Sequence, residues 1–260
     1  MIELEFTPHG ALPVWGWEIA VYLFLGGLAA GAMILASLTK VTRWFIFVAP
    51  LALSVGMLAL FIDLESKLHV WRFYTALRIT SPMSWGAWIL LLIYPATILY
   101  GLRPAETLRR LNIALGIALG AYTGVLLATL TARAAWSSLF LAPLFLVSGF
   151  STAAALAMLL PLGEEERQRV RRWDLIAIGA EVVVLGFFFL DLRGGAALFF
   201  GGPFTAPFWS LVVIAGLIVP AALELVESRR HIHVAIAPTL ILIGGLALRW
   251  IFVLAGQTAI

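Results

Sequence analysis

The 260-residue chain has no cysteine, little histidine and little charge. Without cysteine it can form no disulfide, no zinc–thiolate site and no cysteine-ligated iron–sulfur cluster. Only 12% of its residues are charged, against about 25% in an ordinary soluble domain. Water cannot solvate a surface so poor in charge, so the surrounding solvent is expected to be lipid. The four histidines, His9, His69, His231 and His233, all fall in loops or at the ends of apolar runs. A b-type cytochrome places histidine pairs inside helices as axial ligands; no such pair occurs, which argues against bound haem or any metal in this protein. The opening MIELEFTPHG has two glutamates and no Lys or Arg, so it lacks the basic n-region of a cleaved signal peptide. The net charge of +3 and pI near 9.6 would suggest nucleic acid in a soluble protein. Here they reflect Lys and Arg in short loops, where they fix orientation in a membrane, and no nucleic-acid partner is expected.

What the sequence does have is long apolar runs. A spanning helix needs about 20 mainly apolar residues. Eight such runs can be counted, at roughly 16–39, 44–64, 84–102, 111–131, 137–161, 173–191, 206–226 and 234–256. Backbone polar groups in lipid must be satisfied internally, and the runs are too long and continuous for barrel strands. The expected fold is therefore an all-α membrane protein of eight transmembrane helices, with longer loops only at 65–83 and 192–205. Eight spans put both termini on one side. The loops on that side hold Lys67, Arg72, Arg78, Arg133 and Arg193. The opposite loops hold Lys40, Arg43, Arg103, Arg109, Arg110, Arg167, Arg169, Arg171, Arg172, Arg229 and Arg230. The positive-inside rule makes the second set cytoplasmic and both termini external. Small residues mark expected helix contacts: Gly27 and Gly31, then Gly116, Gly120 and Gly124, then Gly244 and Gly245.

Ionisable residues inside apolar spans carry most of the information, because each costs at least about 2.5–3.5 kcal/mol in hydrocarbon. In the first span, Glu18 and Tyr22 are four apart and share a helix face. An acid and a phenol so placed can exchange hydrogen bonds with a ligand carbonyl, whereas Trp15 and Trp17 read as an interfacial belt. The second span ends FIDLESKLHVWRFY, with Asp63, Glu65 and His69 at its outer end. His is the natural proton carrier near neutrality, and a self-paired solvated loop is the competing reading. In GAYTG of the fourth span, Gly120 and Gly124 flank Tyr122 and are expected to clear space beside a buried phenol; a core tyrosine bonded to a carbonyl is the alternative. In the sixth span Asp174 and Glu181 are seven apart, on one stripe. Glu181 falls near mid-membrane, as a proton carrier or as the structural partner of Arg249. Arg249, in the eighth span, cannot shed its charge and needs a partner. Glu224 and Glu227 are expected to snorkel or to pair with Arg229 and Arg230.

Four segments carry a family resemblance: WEIAVYLFLGGLAAGA (17–32), SPMSWGAW (81–88), AYTGVLLA (121–128) and LRWIFVLAGQ (248–257). Together they resemble the NrfD-like family, the membrane subunits of polysulfide reductase-type respiratory complexes, from first span to last. The resemblance implies two four-helix bundles, here 1–131 and 132–260. It implies an outward-facing quinone or quinol site in the first bundle, taking menaquinone or ubiquinone. It also implies a prokaryotic cytoplasmic membrane and two partners: a ferredoxin-like iron–sulfur subunit and a molybdenum bis-pterin catalytic subunit. By position, Tyr122 matches the family's quinone-associated tyrosine, and either Asp63 or Glu65 matches its acid. Two positions depart from it. Tyr22 stands where the polysulfide reductase type has histidine, and Ile19 where it has asparagine.

On this reading Glu18, Tyr22, Tyr122 and Arg249 are candidate cofactor-binding residues. Asp63, Glu65, His69, Asp174 and Glu181 are candidate proton-exchanging residues. Two rival classes are a transporter or channel, which usually shows inverted repeats that this sequence lacks, and a purely structural membrane anchor.

Overall fold

The computed structural model describes residues 15–41, 43–63, 82–129, 134–192, 195–230 and 235–258. Within them the protein forms eight helices long and apolar enough to cross a membrane. They are α1 (Trp17–Leu38), α2 (Val48–Asp63), α3 (Pro82–Leu102) and α4 (Glu106–Ala128), followed by α5 (Leu141–Met158), α6 (Glu164–Asp191), α7 (Thr205–Val226) and α8 (Ile236–Ala255). This is a multi-pass membrane protein, all-helical over the described residues. The apolar runs locate every span, but two helices extend beyond theirs. α4 starts at Glu106 rather than near 111, and α6 at Glu164 rather than near 173. Both extensions are polar, so hydropathy alone does not see them. Glu106 begins α4 and forms ion pairs with Arg109 and Arg110 one turn on, at 2.7 and 2.8 Å. Glu164, Glu165 and Glu166 occupy the first turn of α6, where carboxylates complement the positive helix end. Glu166 also accepts the backbone N–H of Lys40 at 2.7 Å, tying the α1–α2 connection to α6. These features gather at one end of the bundle, hereafter the basic end.

α1 and α5 form the axis of the molecule. Of their apolar windows, 78% and 67% respectively are buried, against 39% for α2 and α3. The reason is small residues. A Cβ on Gly149 would lie 2.6 Å from the carbonyl oxygen of Gly27, and one on Gly31 would run into Gly149 and Ala153. Gly116 and Gly120 of α4 meet Ala30 of α1 in the same way. With no hydrophobic force to press helices together in lipid, such close backbone contact holds them by dispersion. Around this axis, residues such as Leu51, Leu58, Leu91, Leu99, Val182 and Leu190 remain exposed, an apolar exterior suited to acyl chains.

Gly149→Leu is expected to force α1 and α5 apart and to lower the thermal unfolding temperature of the purified protein. Overpacking of a close contact costs about 1–3 kcal/mol. Gly179→Leu, where nothing lies within 4 Å, is the matched control and should leave the transition almost unmoved.

α7 has an unusual stretch: Phe208–Ile218 is wound as a π-helix. Here Gly216 meets Gly244 of α8, and a Cβ on Gly216 would lie 2.9 Å from the Gly244 Cα. At the end opposite the basic one, Phe188, Phe199, Phe208 and Phe252 form a plug over α5–α8, with ring centroids 5.1 Å apart for Phe188–Phe252 and for Phe199–Phe208. Beside it, Trp15 stacks on Trp136 at 5.1 Å. Gln257 grips the Trp15 backbone twice, accepting from its N–H at 2.8 Å and donating to its carbonyl at 2.9 Å.

Candidate functional site

The polar residues inside the bundle fall into two groups on different helices. The first is the group of aromatic residues and Glu18 on α1, α3 and α4. Tyr22 and Tyr122 are both buried, at 5% and 8% exposure. α1 and α4 touch where Gly26 faces the methyl group of Thr123. Tyr22 lies one turn from that contact and Tyr122 one residue from it. Tyr22 also packs toward Gly56 of α2.

Tyr122 is set differently from the expectation. Gly120 and Gly124 do not clear space for the phenol; they meet Leu146, Ala30, Leu141 and Ala142 and serve the packing of α4 against α1 and α5. The glycine under the ring is Gly86 of α3, whose added Cβ would overlap the Tyr122 ring and hydroxyl. A contact between distant segments has no signature in local spacing, although both SPMSWGAW and AYTG stand out as motifs. Among the described residues the Tyr122 hydroxyl makes no hydrogen bond, so the alternative of a core tyrosine bonded to a carbonyl does not hold there.

Glu18 is half-buried in the first turn of α1, and its carboxyl folds back over Gly16 at the helix start. An acid there complements the helix dipole while remaining within reach of solvent. Asp63 ends α2, but its side chain, with Glu65 and His69, lies outside the described residues.

The second group lies among α5, α6, α7 and α8. Arg249 is fully buried. Its Nη1 donates to Ser148 Oγ at 2.6 Å and to the Gly245 carbonyl at 3.1 Å. Its Nη2 donates to the Phe145 carbonyl at 3.0 Å, and its guanidinium sits 5.1 Å from the centre of the Phe145 ring. A side chain at Gly27 would collide with it, 2.9 Å from Nη2, so one glycine both seats α5 and makes room for the cation.

The anionic partner of this cation is Glu181, 3% exposed. The two meet at Ser148, which accepts from Arg249 and faces the Glu181 carboxyl. The described ion pairs, Arg109–Glu106, Arg110–Glu106 and Arg169–Glu166, do not include this one. Asp174, one stripe along α6, accepts from Ser151 Oγ at 2.6 Å and is fully buried.

Asp174 also lies close enough to Glu224 of α7, which is only 1% exposed, for the two carboxyls to influence one another. This corrects the expectation that Glu224 snorkels. α7 turns the residue into the bundle toward α6, and its nearness in sequence to Arg229 and Arg230 concealed that. Sequence reading also passed over Ser148, Ser151 and Thr152. Their spacing of i, i+3 and i+4 puts three hydroxyls on one helix face, which is the signal that identifies them.

The sequence thus brings Asp174, Glu181 and Arg249 into one connected group. Tyr122 belongs to the other: among the described residues no contact joins it to Asp174 or Glu181. No cluster of three or more His, Asp or Glu with metal-ligand geometry occurs among the described residues.

The sequence is similar to known proteins along nearly its whole length. The family model described as "Polysulphide reductase, NrfD" matches residues 5–260. A polysulfide reductase chain from Wolinella succinogenes is 29% identical, over 94% of the present sequence and 95% of its own. Protein NrfD of Escherichia coli (strain K12) is 30% identical, over 95% and 96%. Protein NrfD homolog of Haemophilus influenzae is 24% identical, over 95% of each.

Proposed function

The chain belongs to the NrfD polysulphide reductase family, and from that premise we propose that it is the quinone-reactive membrane subunit of a respiratory oxidoreductase. The observation that carries this reading is Tyr122. It is a buried phenol, laid against Gly86 where any larger residue would displace it, with a hydroxyl that no described residue engages. A quinone, menaquinone or ubiquinone, fits such a group: it offers carbonyl oxygens to phenolic donors. When bound it supplies two-electron chemistry coupled to two protons. The protein itself supplies Tyr122 and Tyr22 as hydrogen-bond donors that orient the oxygens. It supplies Glu18 at the helix start, with Asp63, Glu65 and His69 at the end of α2, as groups that exchange protons with the outer aqueous phase.

In this reading residues 1–131 form the quinone-binding half and 132–260 the second half. The basic end of the bundle is cytoplasmic and both termini face outward. The membrane is the inner membrane of a prokaryote. Electrons pass between the quinone and an external ferredoxin-like iron–sulfur subunit docked on the outer face, and beyond it a molybdenum bis-pterin catalytic subunit. Cysteine is absent from the sequence, so the iron–sulfur centres must come from a partner.

A second component is proton movement, favoured by the buried Asp174, Glu181 and Arg249. Three ionisable side chains inside a membrane bundle are costly and mark pathways more often than packing. Tyr122 lies apart from this group, which favours a pathway within the second half over one through the tyrosine.

Purification of the protein from its natural membrane, followed by solvent extraction, tests the reading. The expected result is co-purification with a cysteine-rich iron–sulfur subunit and recovery of bound quinone. Isolation without such a partner would support a transporter. A complex with the partner but without quinone would reduce the protein to an anchor.

A further inference from the structure

The polar groups of α5–α8 surround a small cavity. Ser148, Ser151, Thr152 and Glu181 line one side; Val212, Gly216 and Gly244 belong to the apolar remainder. About 10 Å³ of it is open to the centre of a water molecule, close to the minimum one water needs. We propose that this cavity is a binding site for a single water, held by Glu181 and Ser151, that joins the two carboxyl clusters of the second half into one proton-conducting chain.

The donor and acceptor inventory decides the ligand. Each hydroxyl has one proton to give, and those of Ser151 and Thr152 are committed. Ser151 donates to Asp174 and Thr152 to the Gly149 carbonyl, at 2.6 and 2.8 Å. Ser148 accepts from Arg249 and faces the Glu181 carboxyl. What remains on the polar wall is acceptor capacity: lone pairs on Ser151 and Thr152, and the Glu181 carboxyl. The fitting ligand is therefore a small double donor. A metal cation would sit one hydroxyl away from the Arg249 guanidinium, where like charge opposes it. A water donates to Glu181 and to Ser151 or Thr152 at once, and a site with two to four polar partners is the kind that retains buried water.

The water makes a continuous path. Glu224 lies beside Asp174, Asp174 accepts from Ser151, the water spans from Ser151 to Glu181, and Ser148 stands between Glu181 and Arg249. When a proton arrives on Asp174, the Ser151 hydroxyl turns from Asp174 toward the water; Asp174 then gives its proton to Ser151 Oγ, Ser151 gives its own to the water, and the water gives one to Glu181. One proton enters, one arrives, and no atom is lost. Beyond Arg249 the Phe145 and Phe252 rings close the way with apolar surface, at 6.0 Å between centroids, so the path opens from the basic end. The water site stands on geometry alone; its use in transport rests on the proton-movement reading above.

A structure of the whole complex at a resolution that shows ordered water tests the site. The expected density is one peak within hydrogen-bonding distance of both Glu181 and Ser151, and its loss in Val212→Leu, which adds a methylene from the apolar wall. A native cavity without that peak would overturn the proposal, as would a peak that persists unchanged in the variant. Proteoliposomes holding the Val212→Leu complex should continue to oxidise quinol but lose proton uptake from the basic side. If the unmodified complex moves no protons, the transport reading fails while the density still decides the water.

Discussion

Arg249→Leu is expected to destabilise the protein more than any other single replacement in the second half. The native guanidinium makes three hydrogen bonds, to Ser148, Gly245 and Phe145, and lies over the Phe145 ring. Those contacts bring together α1, through the space left at Gly27, with α5 and α8. Leucine fills part of the volume but removes every donor. It also leaves the Glu181 carboxylate buried beside Ser148 with its compensating charge gone. Breaking a buried charge pair from one side costs about 3–5 kcal/mol, a large share of the stability of any domain. Adding Glu181→Gln removes the stranded charge and should recover part of the loss, with a coupling of about 0.5–3 kcal/mol. Thermal unfolding of the purified single and double variants in one detergent measures both. A single variant as stable as the native protein, or a double variant whose loss is the plain sum, would show that Arg249 and Glu181 are energetically separate.

Tyr122→Phe is expected to do the reverse, leaving the fold intact and impairing function. Phenylalanine keeps the ring that packs against Gly86 and removes only a hydroxyl that no described residue engages. Stability should therefore scarcely change. If the hydroxyl bonds a quinone oxygen that gains charge during electron transfer, its loss removes about 1.5–3 kcal/mol of stabilisation. That corresponds to about a tenfold to hundredfold fall in quinol-linked turnover. Electron transfer from an artificial donor directly into the partner subunits should be unaffected, because that route bypasses the membrane subunit. A fall in both activities would point to faulty assembly, and no fall in either would remove Tyr122 from the site.

Different parts of the molecule were unequally legible in its sequence. The eight spans could be read because hydrocarbon demands long apolar runs, and nothing else in the sequence resembles them. The polar starts of α4 and α6 could not, since a helix outlasts the apolar surface it presents and Glu106 or Glu164 can extend it in water. Asp174 and Glu181 were placed on one stripe by their spacing alone, and both are buried there. The same reasoning missed the depth of Glu224, which is only 1% exposed because α7 turns the residue toward α6. It also attached the wrong glycines to Tyr122, because proximity in sequence says little about which residue α3 brings against the ring. Serine and threonine are common in membrane helices, so the Ser148, Ser151 and Thr152 face acquires meaning only once two carboxyls are found opposite it.

The most direct test of the account is quinol-driven reduction of the partner's iron–sulfur centres in the purified, lipid-reconstituted complex, followed by electron paramagnetic resonance. The account predicts that a short-chain quinol, or its quinone in the reverse direction, exchanges electrons with those centres, and that Tyr122→Phe slows the exchange while leaving their spectra unaltered. Centres that respond to artificial donors but never to a quinol or quinone would contradict it.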